Sequence, residues 1–233
     1  MNWVSGKHES LGSCFFMYIR DESNTCFMCF YMQMKDPKPK VEARFQVKAT
    51  PQTLWPQSEY FNGFSFPKIA IITDAAPDQL QTNFSWGLLP AWTKDIEFRK
   101  NTLNARLETL TEKPSFKDIL HQRCLIPANA YFDWQWLDPQ GKAKQRYRIH
   151  ATEELFAFAG LYHCWQHPET GEIINTFTLL TTEANATMAY IHSTKKRMPV
   201  IVNREDEQGW LQHAIEPKAL AFPYDVPLLA FPD

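Results

Sequence analysis

At 233 residues, with 44% hydrophobic and 21% charged side chains, the chain is long enough to bury a core and has the make-up of a water-soluble globular protein. A net charge of −2 excludes a polycation, so any nucleic-acid surface must be a local patch. No apolar run approaches the ~18 residues of a membrane helix, and five irregularly spaced cysteines do not form a disulfide framework, so a reducing, cytoplasmic setting is expected.

Residues 1–27 show neither helical nor strand periodicity and read as an appendage to a fold spanning 28–233. Their apolar patch, Cys14 to Ile19, is shorter than the ~7–15-residue core of a secretory signal. Asp36-Pro37-Lys38-Pro39-Lys40 offers a helix start, with Val41 and Phe45 on its apolar side. Residues 68–73 (Lys-Ile-Ala-Ile-Ile-Thr) form a buried strand, and residues 84–89 a second, stopped by Pro90. Residues 115–122 open on a serine suited to capping a short helix. Two hairpins follow. Residues 130–137 and 145–150 flank the turn Asp138-Pro139-Gln140-Gly141, and residues 155–165 and 173–181 flank His167 to Gly171. Residues 183–191 look helical, 198–202 form a short strand, and Asn203 caps a helix running to about Ala214. The tail from Glu216 is proline-rich and irregular. Strands close in sequence, mixed with short helices, predict a single α+β domain with mostly antiparallel pairing.

Met28-Cys29 is the most informative pair. If the acting chain starts after Met28, Cys29 carries a free α-amine beside its thiol, and that pair can close a five-membered ring on an aldehyde. Cys26-Phe27-Met28-Cys29 is also a C-x-x-C, but no second pair has zinc-site spacing, so neither a metal nor a cofactor is expected. Asn104-Ala105-Arg106 puts an amide and a guanidinium on one face if extended, suited to an oxyanion and a phosphate, although for the motif alone an asparagine satisfying backbone groups and an arginine in a surface ion pair is the better reading. Asp133 interrupts the aromatic run Tyr131-Phe132-Asp133-Trp134-Gln135-Trp136. Turned inward it is a candidate general acid, and turned outward it is a solvated strand residue; alternation alone leaves both open. His192 precedes the cations Lys195, Lys196 and Arg197 and could act as a base, as a hydrogen-bond partner or take no part in chemistry, the usual case for a lone histidine.

In order along the chain stand Met28-Cys29, Trp86-Gly87-Leu88-Leu89-Pro90-Ala91-Trp92 and Asn104-Ala105-Arg106-Leu107-Glu108-Thr109. Then come Arg123-Cys124-Leu125-Ile126-Pro127, Tyr131-Phe132-Asp133-Trp134, and His192 through Arg197-Met198-Pro199-Val200-Ile201. Together they resemble the SOS response-associated peptidase family, whose pattern is Met-Cys, Trp-Gly-x-x-Pro-x-Trp, Asn-Ala-Arg-x-Glu-Thr, Arg-Cys-Leu-Ile-Pro, Tyr/Trp-Phe-Glu-Trp and His-x-Arg-Met-Pro-Val-Ile. The resemblance runs from Met28 to about His213 and implies a thiazolidine cross-link between N-terminal Cys29 and abasic sites in single-stranded DNA. It implies roles for Asn104 in holding the linkage, and for Asp133 and His192 in proton transfer. Arg106 would bind a flanking phosphate, and Trp86 and Trp92 would either pack against unstacked bases or belong to the core; Lys195 and Arg197, from the basic run, are further candidate DNA contacts. The partner is single-stranded DNA, no membrane is involved, and the expected state is a monomer, associated with the nucleoid when on DNA.

Three departures qualify this. The extension before Cys29 blocks the amine while attached, Asp133 stands where the family has glutamate, and the Gly-Arg that often follows the cysteine is missing. A cysteine peptidase acting through Cys29, His192 and Asn104 is an alternative, as is a non-catalytic single-stranded DNA-binding module.

Overall fold

The computed structural model describes residues 30–49 and 54–233; Met28, Cys29 and the residues before them lie outside the described part. In chain order the strands are β1 (Tyr31–Met34), β2 (Lys48–Ala49), β3 (Ser58–Asn62), β4 (Lys68–Thr73), β5 (Ala76–Trp86), β6 (Asn104–Arg106) and β7 (Arg123–Ala128). They continue as β8 (Ala130–Trp136), β9 (Lys144–Ala151), β10 (Phe156–Gln166), β11 (Ile173–Glu183), β12 (Arg197–Pro199), β13 (Ile201–Val202) and β14 (Leu228–Pro232). Three α-helices accompany them: α1 (Lys38–Phe45), α2 (Ala186–Ile191) and α3 (Glu207–Leu211).

Strands β11, β10, β7, β4 and β5 are hydrogen-bonded in that order, and a parallel pairing of β5 with β11 closes them into a ring. A second sheet runs β14-β9-β8-β1-β3. Pairing is antiparallel except where β11 meets β5 and β6 and where β2 meets β5, so the expected α+β class with mostly antiparallel strands is what the chain adopts. Two apolar clusters fill the interior. One gathers Val41, Phe45, Leu80, Leu125 and Trp210, and the other Met32, Trp86, Tyr131, Phe158 and Phe177. Among the described residues, no helix is long and apolar enough to cross a membrane.

Local chemistry explains most elements. Proline in the first turn of α1 suits a position whose N–H needs no partner, and Val41 and Phe45 bury its inner face. Hairpin β8–β9 turns on Asp138, whose carboxylate accepts from the backbone N–H groups of Gln140, Lys142 and Ala143. Gly141 there has φ +64° and lies under the Trp136 indole, leaving no room for a Cβ.

Three expectations need correction. Residues 115–122 yield only the 3₁₀ turn Lys117–Ile119, with no side-chain cap. The helix expected from Asn203 is a 3₁₀ turn followed by the five-residue α3. The tail is not irregular throughout: β14 pairs with β9 along Leu228–Pro232.

Candidate functional site

Asp133 and His192 meet where β8 passes α2. On β8, Tyr131 and Asp133 share the inward face. Tyr131 packs on Phe158 in the core, whereas Phe132 and Trp134 face outward among Tyr31, Tyr60 and the Arg146 guanidinium. The choice left open by alternation is thereby settled. Asp133 is turned in and is only 6% exposed.

His192 is 3% exposed and terminates α2. Its position follows from the capping of that helix. The Asn185 side-chain oxygen accepts from Met188 N at 2.9 Å, and its amide nitrogen donates to both Asp225 carboxylate oxygens at 3.0 and 3.1 Å. The helix begins three residues later than periodicity suggests, because β11 continues to Glu183.

His192 Nδ1 lies 3.3 Å from the Arg197 carbonyl oxygen and 3.6 Å from Asp133 Oδ2. A carbonyl can only accept, so that contact is a hydrogen bond when Nδ1 carries the proton, which leaves Nε2 as the basic nitrogen of the neutral ring. Asp133 Oδ1 accepts from Trp134 N at 2.8 Å, while buried Oδ2 has no hydrogen-bond partner. Burial pushes the Asp133 carboxyl above its ordinary value, opposed by the charge of His192 in its protonated form and by the Trp134 N–H. A carboxyl raised by burial beside an imidazole is equipped to give and take protons.

The chain enters this site through β1. Tyr31 stands opposite Phe132 and Met32 opposite Tyr131, so the antiparallel register, continued by one residue, brings Phe30 level with Asp133. The Phe30 carbonyl accepts from Gly63 N at 2.7 Å. A Cβ on Gly63 would lie 3.3 Å from both that carbonyl and the Trp86 ring.

Asn104 and Arg106 come from β6, which pairs in parallel with β11, setting Asn104 opposite Leu179 and Arg106 opposite Thr181. Ala105 is buried while Arg106 is exposed, so the two polar residues share a face as extended geometry requires, and Asn104 Oδ1 is itself buried. The strand that holds them, β11, leads directly into α2 and His192.

Trp92 is 52% exposed, and its indole N–H donates to Pro114 O at 3.2 Å. Lys195 lies in the exposed loop between α2 and β12. Two expected DNA contacts are corrected. Trp86 is fully buried, stacks near Phe177 and donates its indole N–H to Leu103 O at 2.8 Å. It therefore braces the Phe30 end of β1 against the approach to Asn104 and offers no face to a base. Arg197 is buried: its Nη2 donates to Glu108 Oε2 at 2.8 Å and to the Thr181 carbonyl at 2.9 Å. Its charge ties β12 to the turn after β6. Glu108, missed from the sequence, is the acceptor in that tie. The Cys26–Cys29 motif lies outside the described part, and among the described residues no three His, Cys, Asp or Glu side chains are grouped to hold a metal.

A family model described as SOS response associated peptidase (SRAP) matches residues 28–228. The chain is 41% identical over 161 residues to abasic site processing protein YoqW of Bacillus subtilis, covering 67% of this chain and 69% of that one. It is 30% identical over 165 residues to abasic site processing protein HMCES of Gallus gallus, covering 60% of this chain and 47% of the relative. A solved structure of a protein from Bacteroides thetaiotaomicron is 36% identical and superposes with a TM-score of 0.78, covering 88% of this chain and 91% of that one.

Proposed function

The chain belongs to the SOS response associated peptidase family, and from that premise we propose that it processes abasic sites in single-stranded DNA by forming a covalent cross-link through Cys29. The observation that carries this reading is the convergence of the Phe30 end of β1 with the buried Asp133–His192 pair. Cys29 is the residue immediately before Phe30 in the sequence. The acting form begins at Cys29, because an α-amine locked in a peptide bond cannot add to a carbonyl.

The Cys29 amine adds to the aldehyde of the ring-opened sugar, and the carbinolamine loses water to a Schiff base. The thiol then adds to the imine carbon, its proton passes to nitrogen, and a thiazolidine results. With an α-amino pKa of ~7.7–8.0, a useful fraction of the amine is neutral near pH 7. Asp133, raised by burial, supplies the proton for sugar opening and for the departing hydroxyl. His192 Nε2 takes protons back. Asn104 orients the amine, Arg106 meets a flanking phosphate, Trp92 offers its exposed ring to a base, and Lys195 adds charge along the strand. Trp86 and Arg197 serve as positioning residues.

Two changes to protein that starts at Cys29 test this. Incubated with abasic single-stranded DNA, such protein should give a band resistant to denaturation, and Cys29→Ala should not. Asp133→Asn should slow the band by roughly 100-fold or more, in keeping with loss of a general acid. Equal adduct from Cys29→Ala would end the proposal.

A further inference from the structure

From Asp133 a path along β8 leads away from the reacting pair through half-buried Gln135 to Leu137, one residue past the strand's end, spanning ~13 Å at ~3.3 Å per residue. It ends at a hollow of about 290 Å³ between the β8–β9 turn and the loop after α2, lined by Trp136, Leu137, Asp138, Pro139, Ser193 and Thr194. Nothing in the chemistry above uses it. Its volume matches the smallest ligand pockets, ~300 Å³, enough for one heterocycle and too small for a duplex.

The walls differ in kind. Leu137 is 61% exposed and shares the lining with Trp136 and Pro139, so one wall is apolar. Opposite stand two hydroxyls, Ser193 and Thr194. Basic residues flank the lining in sequence: Lys142 and Lys144 follow Pro139, Lys195 and Lys196 follow Thr194, all four are exposed, and Lys144 Nζ lies 5.1 Å from the Trp136 ring centroid. The one carboxylate in the lining, Asp138, is engaged by the backbone N–H groups of its own turn. The loop wall is the four-residue segment Ser193 to Lys196 between His192 and Arg197, exposed throughout.

We propose that this hollow seats the nucleobase next to the abasic site, on the side of the strand that follows β8 away from Asp133. The base lies against Trp136, Leu137 and Pro139, its sugar faces Ser193 and Thr194, and its phosphate meets Lys195 and Lys196. The proposal rests on the reading of single-stranded DNA as substrate. It makes the neighbouring base, and not only the lesion, a determinant of binding.

The test uses the full chain and strands that cannot react. A tetrahydrofuran residue replaces the abasic sugar, so the aldehyde is absent and the state of the Cys29 amine is irrelevant. Fluorescence anisotropy compares a strand with a base on each side of that residue with strands in which one neighbour, on either side, is a second tetrahydrofuran. The native chain should lose about fivefold or more in affinity when the base on one side is removed, the lower end of what base–aromatic stacking supplies. Leu137→Asp, at an exposed position that leaves packing intact, should abolish that preference, whereas Trp136→Phe should keep most of it. A native chain indifferent to both neighbours, or a preference untouched by Leu137→Asp, overturns the proposal. Failure here is separable from failure of the chemistry: a cross-link formed without the preference removes the pocket alone, and the preference without a cross-link removes the chemistry alone.

Discussion

Replacing Arg197 by alanine separates a structural tie from a DNA contact. The Arg197 Nη2 donates to Glu108 Oε2 at 2.8 Å, to the Thr181 carbonyl at 2.9 Å and to Thr181 Oγ1 at 3.2 Å. Truncation removes all three bonds and strips the buried carbonyl of a charged donor. A fully buried ion pair costs ~3–5 kcal/mol to break. The Glu108 side chain is 33% exposed and can rehydrate in part, so the expected loss is about 2–4 kcal/mol. The variant's urea midpoint should fall with an unchanged slope. Burial raises the Glu108 carboxyl, but Arg197, its own backbone N–H and the Thr182 hydroxyl outweigh that and hold it below its ordinary 4.5. A carboxyl lowered in the fold stabilises above its unfolded value and loses that contribution as pH falls through the folded one. The gap between native chain and variant should therefore narrow in acid below about 4.5. A phosphate ligand would behave in the opposite manner. Stability would stay within ~0.5 kcal/mol, and the salt dependence of single-strand binding would become shallower by ~0.7. That pair of results would refute the assignment of Arg197 as a strut.

Asp133 makes the reverse prediction with pH. Its carboxyl is raised in the fold, so stability is fullest near and below its unfolded value of 3.8 and declines as pH rises through the folded one. Asp133→Asn lacks that decline, and thermal melts should show it gaining on the native chain from acid to neutral pH while cross-linking is lost. Cys124 is fully buried with its thiol pushed up by desolvation, and Cys164 is exposed. Peptide mapping after a brief alkylation should find label on Cys164 and none on Cys124 until the chain is unfolded. A Cβ at Gly160 would stand 2.7 Å from the Thr178 carbonyl and closer still to Ile126. Gly160→Ala should cost about 1–3 kcal/mol in urea unfolding.

The hairpins were legible because turn chemistry is local. Asp138-Pro139-Gln140-Gly141 places β8 and β9 to within a residue or two, and the inward row of β10 shows as a plain apolar run. Strand β1 was not legible. Three of its four residues are buried and both neighbours are strands, so no alternation marks it. Strand β14 hides in a proline-rich tail and exists because β9 offers an edge.

At the site, the residue types were visible and the orientations were not. The run around Asp133 is aromatic on both faces, since the outer face of the second sheet carries its own cluster of Tyr31, Tyr60, Phe132 and Trp134. Period-2 logic therefore cannot say which side is core. Trp86 and Arg197 have the composition of DNA-binding residues, and only tertiary packing assigns one to the interior and the other to Glu108.

The intact mass of the product formed by protein beginning at Cys29 and a short strand bearing one abasic site tests the central claim most directly. The account predicts the sum of the two masses less one water, with peptide mapping placing the bond on the first residue. An unchanged protein mass, or an adduct carried by Cys164 or a lysine, would contradict it.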